Sequence, residues 1–230
     1  MHPITQTIQQ FVDIFAGIGF SLYNGPEVDT EWKIFDALRV KKDHPARDAQ
    51  DTFWLPEQYK RDGQRLLPRT HTSNAQIKCM NEHTLPIRII SAGKVFRNEA
   101  TDATHEAEFH QLEGLCVDKD VSMADLKNTL TYAFKKYFGD DIQVRFRASY
   151  FPFVKPGIEV DILWKDKWLE VCGAGLVHEE VLSNGLGKEG SRGYSGFAFG
   201  IGLERLVMLK YGIDDIRDMS SGDIRFSRWF

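Results

Sequence analysis

Two widely separated arginines stand in the sequence context of an anion-binding site. Arg97 follows the strand-like run at 94–96, and Arg205 follows the glycine-rich segment at 196–202. Arginine keeps its charge at physiological pH, and its planar guanidinium matches the arrangement of phosphate oxygens. One arginine after a strand and another at a strand-to-helix turn predict a clamp on a polyphosphate.

Hydrophobic patterning predicts the elements that would position these arginines. Helices are expected between Ile4 and Phe15, after a Ser122 N-cap, and from Leu203 to Tyr211 before Gly212. A connection is predicted at 56–64, and a mobile loop at 183–193, which carries four glycines. Strands are expected at 20–23, 87–90, 94–96, 113–117, 143–146, 159–164, 168–172 and 197–199. The expected class is therefore α+β, with an antiparallel sheet flanked by helices.

Composition narrows the class of protein. The chain has 230 residues, 42% of them hydrophobic, and a net charge of −4, which argues against a surface that grips nucleic acid everywhere. A local basic face or a partner subunit could still bind nucleic acid. Neither a membrane span nor a secretory signal is evident, and Cys79, Cys116 and Cys172 are too widely spaced for a zinc site. We expect a cytoplasmic protein with no membrane partner.

The sequence around the arginines resembles motifs 2 and 3 of class II aminoacyl-tRNA synthetases. Motif 2 covers about 87–117, including Phe96-Arg97-Asn98-Glu99, and motif 3 covers about 196–212. The stretches at 2–5, 43–48, 69–73 and 150–153 resemble the catalytic α subunit of bacterial phenylalanyl-tRNA synthetases, and the similarity runs from His2 to Phe230.

The resemblance has implications for the fold. It implies one catalytic domain over 1–230, with a mainly antiparallel six-stranded sheet that includes one parallel strand, and with flanking helices. It also implies a motif 1 subunit interface at about 4–30, where the pattern alone favours an ordinary amphipathic helix. The long N-terminal helical arm of the family, which reaches tRNA, is expected to be absent.

The resemblance also implies an ATP site. Arg97 would contact the α-phosphate and the substrate carboxylate, and Arg205 would lie over the adenine near the γ-phosphate. Mg²⁺ would accompany ATP, with Glu170 and Glu204 as candidate carboxylates, although a solvent-facing strand glutamate is an alternative for Glu170. The full ATP set is Arg97, Glu99, His105, Phe109, Glu204 and Arg205, and Phe109 could equally be a core residue.

A phenylalanine pocket follows from the same resemblance. Its polar members would bind the ammonium and carboxylate groups, its two phenylalanines would meet the substrate ring, and its small residues would close the far end. These residues are His71, Ser73, Gln111 and Glu113, then Phe151 and Phe153, then Val154, Ala198 and Gly200. Gln50 also matches a pocket position.

The implied function is ATP-dependent activation of L-phenylalanine and its transfer to tRNA(Phe), together with a β subunit in an α2β2 heterotetramer. Two alternatives stay open. A stand-alone paralogue would activate an amino acid for an acceptor other than tRNA, and a non-enzymatic regulator would only sense phenylalanine. The sequence at 184–193 and 219–222 departs from the family pattern.

Overall fold

The computed structural model describes residues 1–47 and 52–230, so Gln50 lies outside the described residues. The helices and strands follow one another along the chain as α1 (Pro3–Ala16), β1 (Ser21–Leu22), β2 (Val28–Thr30), α2 (Glu31–Ile34), β3 (Lys60–Arg61), β4 (Gln64–Pro68), α3 (Asn74–Glu82), β5 (Ile87–Phe96), β6 (Glu108–Asp118), α4 (Met123–Phe138), β7 (Val144–Ser149), β8 (Val154–Trp164), β9 (Lys167–Val177), α5 (Glu179–Leu186), β10 (Ser195–Gly202), α6 (Leu203–Tyr211) and α7 (Ile224–Ser227). Short 3₁₀ turns lie at Asp36–Leu38, Pro45–Arg47 and Ile216–Met219.

A seven-stranded sheet forms the centre of the fold, in the order β1-β5-β6-β10-β9-β8-β7. Six strands are antiparallel to their neighbours, and the short β1 adds a seventh, parallel to β5. The α+β class is therefore confirmed, and the six-strand count is low by one. A second, small sheet has the order β2-β4-β3.

Helices cover the two faces of the large sheet because each presents an apolar stripe. One core contains α1, α4 and α6, whose residues Phe11, Phe134 and Leu206 are fully buried. The other contains α3 and α5, with Ile77 and Val181. The Ser122 N-cap is confirmed, and Asp125 completes a capping box. Within the described residues, no helix is both long and apolar enough to cross a bilayer.

Gly93 does not interrupt a strand, contrary to the prediction of separate strands at 87–90 and 94–96. β5 runs without a break through this position. A Cβ atom on Gly93 would lie 2.3 Å from Nη2 of Arg69, a fully buried side chain that crosses the strand there. The glycine therefore provides room for a guanidinium rather than a bend.

Two other predictions about connections hold only in part. The predicted mobile loop at 183–193 begins inside α5, where Gly185 packs so closely on Met80 that a Cβ would lie 2.5 Å from its methyl carbon. The predicted connection at 56–64 contains β3 and the start of β4. In both places glycine and polar residues predict a loop, but tertiary packing determines the structure.

Candidate active site

A cavity of about 540 Å³ opens where β6, β9 and β10 lie side by side. Side chains alternate across a strand, so Phe109, Gln111 and Glu113 of β6 project from the same face. The register places Gln111 opposite Gly202 and Glu113 opposite Gly200. Because these partners are glycines, the β6 side chains border open space instead of a packed core.

The structure brings nearly all the predicted site residues to this cavity. Its lining contains residues from both predicted subsites: His71, Ser73, Arg97, Glu99, His105, Phe109, Gln111, Glu113, Phe151, Phe153, Glu170, Ala198, Gly200, Glu204 and Arg205. Val154 is not part of the lining. It is buried against Gly175, where a Cβ atom would lie 2.7 Å from that of Val154.

Arg97 and Arg205 both line this single cavity, although 108 positions separate them in the sequence (205 − 97). Arg97 donates from Nε to the carbonyl oxygen of Thr70 at 3.2 Å, and its guanidinium carbon lies 4.9 Å from the ring centroid of Phe109. Arg205 donates from Nη1 to the carbonyl oxygen of Glu170 at 2.9 Å. Each guanidinium is therefore tethered to backbone, which limits its motion within the cavity.

Glu113 is a buried carboxylate in the cavity wall, with 3% of its surface exposed. Thr72 Oγ1 donates to it at 2.9 Å, and Gln76 Nε2 donates from the other side. Burial raises the pKa of Glu113 to about 7 in spite of these donors. Sequence reasoning found Glu113 but assigned no role to Thr72, which lies in the stretch 69–73, or to Gln76. The carboxylate is suited to a cationic ligand, which would offset its desolvation.

His71 lies in the same wall as a neutral imidazole. Burial, followed by the nearby charge of Arg97, lowers the pKa of His71 to about 4. Its Nδ1 accepts a hydrogen bond from the backbone N–H of Ser73 at 3.2 Å, which fixes the ring. The histidine therefore adds no positive charge to the cavity near pH 7.

Phe151 and Phe153 form the apolar part of the lining. Their ring centroids lie 6.0 Å apart with an interplanar angle of 22°. Phe151 packs directly on Gly173 of β9, where a Cβ atom would lie 2.9 Å from its Cζ. The short side chain of Ala198 borders the same space. This part of the cavity is suited to a flat apolar ring.

The loop between β5 and β6 carries His105 at the mouth of the cavity. Both carboxylate oxygens of Asp102 lie 3.0 Å from His105 Nδ1, and Asp102 also accepts from the backbone N–H of Thr104 at 2.7 Å. These hydrogen bonds hold the pKa of Asp102 below its usual range, and the one from the backbone N–H of Thr104 has the largest effect. The backbone N–H of Ile216 donates to Ala103 at 3.0 Å and attaches the loop to the segment after α6.

Comparison with known proteins places this arrangement in a family. The family model for the tRNA synthetases class II core domain (F) matches residues 1–230. The chain belongs to the class II aminoacyl-tRNA synthetases.

Curated proteins similar to this chain include phenylalanine–tRNA ligase alpha subunits. Those of Xylella fastidiosa strain M12 and Xanthomonas oryzae pv. oryzae strain MAFF 311018 are each 48% identical over 235 residues, covering all of this chain and 68% of theirs. Within the class II synthetases, the chain therefore belongs to the alpha-subunit family. A crystal structure of pyrrolysyl-tRNA synthetase from Desulfitobacterium hafniense shares the fold, with a TM-score of 0.71 at 18% identity over 96% of this chain and 74% of that one.

Two carboxylates near the arginines, Glu170 and Glu204, are candidates to bind the divalent cation that this class uses with ATP. Glu170 is exposed at the cavity wall, as the solvent-facing alternative predicted, and partial burial of its carboxylate, followed by repulsion from Glu159, raises its pKa. A cation beside Glu170 would relieve both effects, so this residue fits a metal. Glu204 is already hydrogen-bonded to His110. Among residues 1–47 and 52–230, no group of three His, Cys, Asp or Glu side chains could hold a metal, so phosphate oxygens would complete the coordination.

Proposed function

We propose that this chain activates L-phenylalanine with ATP to form phenylalanyl-adenylate, and that it transfers the phenylalanyl group to tRNA(Phe) as a catalytic alpha subunit. One observation carries the proposal. The arginine pair and the buried carboxylate with two phenylalanines line the same cavity, so an amino acid and ATP could react there. The family membership of the chain supports the same reaction.

Amino-acid binding follows from the charge and shape of the pocket. The ammonium group would pair with Glu113, and the ring would lie against Phe151 and Phe153, above Ala198. Edge-to-face contacts between aromatic rings add about 0.5–1.5 kcal/mol beyond the burial of apolar area. Val154 would support Phe151 from behind without touching the substrate.

Adenylate formation requires an anionic carboxylate to approach an anionic phosphate. Arg97 would lie between them, reduce their repulsion and stabilise the charge that grows on the α-phosphate in the transition state. Arg205 and His105 would bind the outer phosphates, and Glu99 would accept from the adenine amino group. Phe109 would offer its ring face to the base once the guanidinium of Arg97 turns to the α-phosphate. Positioning supplies the catalysis, so no protein nucleophile is required.

Magnesium and partner subunits complete the proposal. Glu170 would hold a Mg²⁺ ion that neutralises phosphate charge, and Glu204 could do so only by giving up hydrogen bonds to His110. An alpha subunit implies a β subunit, and we propose an α2β2 heterotetramer in the cytoplasm, with motif 1 at the subunit contact.

Phenylalanine-dependent exchange of pyrophosphate into ATP tests the activation step. We expect exchange that depends on phenylalanine, and charging of tRNA(Phe) once a β subunit is added. Exchange without charging in the presence of β would favour an acceptor other than tRNA. Phenylalanine binding without exchange would favour a sensor and would contradict the proposed activity.

Selection against tyrosine is expected to be limited in this chain. Ala198 and Gly200, at the far end of the pocket, have no side chain that could hydrogen-bond a substrate hydroxyl. Apolar contacts alone reject such an isostere by about a hundredfold. The measurement is the ratio of kcat/KM for phenylalanine and tyrosine in pyrophosphate exchange, with 4-fluorophenylalanine as a control of similar shape. A ratio far above this scale would show that the pocket holds an additional selective contact.

Phenylalanine affinity is expected to depend on pH through Glu113. Its pKa of about 7 means that the carboxylate is mostly ionised at pH 8 and mostly protonated at pH 6. The substrate keeps the same charge over this range, so Kd should rise by about tenfold from pH 8 to pH 6. Calorimetric titration at both pH values measures the effect, and Glu113→Gln should show a flat profile. A flat profile in the unmodified chain would contradict the assignment.

A further inference from the structure

His110 holds a buried carboxylate between the two arginine-bearing segments. Its backbone N–H donates to both carboxylate oxygens of Glu204, at 2.8 and 2.9 Å, and its ring Nδ1 lies 2.8 Å from Oε1. An ionised carboxylate can only accept hydrogen bonds, so Nδ1 carries the hydrogen and donates. Glu204 is 7% exposed, and a carboxylate this buried requires such partners.

This contact extends the sheet at the point where its ladder ends. β6 and β10 pair as far as Gln111 and Gly202, and the chain then enters α6 at Leu203. The N–H of His110, the next residue of β6, would otherwise lose its acceptor on this side. Glu204 supplies that acceptor with its side chain, so the start of α6 is fixed to β6.

The contact also relates Arg97 to Arg205. His110 pairs with Lys94 of β5, shortly before Arg97, and Glu204 directly precedes Arg205. Arg205 is bonded on its other side to the backbone of β9. The first turn of α6 is therefore attached to β6 and to β9, and the separation of the two guanidinium groups depends on both attachments.

We propose that His110 is a positioning residue for ATP activation, which acts by holding Glu204 and hence Arg205 in register with Arg97. Glu204 then serves as the partner of His110 and not as a metal ligand. The inference rests on the proposed function. Transition-state stabilisation depends on donors that are already in place, so loosening this contact lowers both ATP affinity and the rate of exchange. The amino-acid pocket around Glu113 keeps its own hydrogen bonds and is unaffected.

Three variants test the role of His110: His110→Ala, His110→Asn and Glu204→Gln. The Asn side chain keeps an N–H donor close to the position of Nδ1. Each variant is assayed with and without the β subunit for exchange, for the Kd of phenylalanine and of a non-hydrolysable ATP analogue, and for Tm. We expect His110→Ala to lose about 10- to 100-fold in kcat/KM for ATP, as is typical when a partner of a site residue is removed. Phenylalanine Kd should stay within about twofold, and His110→Asn should recover most of the loss.

The outcomes separate this inference from the proposed function. An unmodified chain without phenylalanine-dependent exchange would overturn the proposed function, and affinity for the ATP analogue would still report on His110. Equal analogue affinity and exchange in His110→Ala and the unmodified chain would overturn the inference. A His110→Asn variant as defective as His110→Ala would also overturn it, since the donor would then be irrelevant. If His110→Ala fails to fold, His110→Asn and Glu204→Gln decide: loss only in Glu204→Gln supports the role, and loss in neither overturns it.

Discussion

Replacing Arg97 by alanine is expected to lower phenylalanine-dependent pyrophosphate exchange by roughly three orders of magnitude while the fold survives. Removing one preorganised donor to a developing negative charge commonly costs about 10²–10³ in rate, and a charged donor lies at the upper end. The guanidinium is held by the carbonyl of Thr70 and lies over Phe109 at the rim of the cavity, so its removal leaves no buried cavity behind. The loss should appear in kcat as well as in kcat/KM, because the contact strengthens in the transition state.

Arg88→Ala is the matched control for this prediction. Arg88 lies on β5, the strand that ends directly before Arg97. Its side chain is exposed and pairs with Asp118 outside the cavity. Its removal should leave exchange unchanged. Arg97→Lys should recover little, since an ammonium cannot bridge two oxygens as a planar fork does. Exchange retained in Arg97→Ala, with Tm unchanged, would place the activating cation elsewhere.

The sequence predicted which residues meet at the cavity better than it predicted the boundaries of the elements that form it. Periodicity located β10 and α6, because an apolar run with a glycine at each end has a clear pattern. It divided β5 at Gly93, because single-sequence patterns treat glycine as a break, whereas here it provides space for Arg69, which comes from a different part of the chain. A close approach between residues far apart in sequence leaves no local signal.

The same limit explains which site residues were missed. The resemblance assigns roles to Arg97 and Glu113 but none to Gln76, Thr72 and His110, although Thr72 and His110 lie within stretches that carry it. Gln76 lies on α3 and reaches Glu113 only because α3 packs against the sheet. His110 is adjacent to predicted residues, and only the β6–β10 register shows that it faces Glu204. Residues that support a site depend on tertiary structure, so composition and spacing do not reveal them.

Replacing Glu113 by glutamine is expected to weaken phenylalanine binding by about two orders of magnitude and, at the same time, to stabilise the free protein at pH 8. The substrate ammonium would lose its buried charged partner in the pocket wall, and a hydrogen bond to a charged group contributes about 1.5–3 kcal/mol. The same substitution is expected to raise the free energy of unfolding of the free protein. Burial raises the pKa of Glu113 from 4.5 to about 7, so ionising this carboxyl in the folded state costs free energy that glutamine does not cost.

The raised pKa of Glu113 makes its stability contribution depend on pH. A carboxyl that ionises less readily in the folded state lowers stability as pH rises from the unfolded pKa to the folded one, and the full cost is present above about pH 7. The difference corresponds to at most about 3 kcal/mol, and hydrogen bonds from Thr72 and Gln76 that an amide accepts less well reduce the gain to roughly 1–2 kcal/mol. Urea unfolding at pH 5 and pH 8 measures it: the variant should gain stability over the unmodified chain at pH 8 and much less at pH 5. Equal gains at both pH values would mean that Glu113 is not ionised in the free protein, and that its role in ammonium binding needs another explanation.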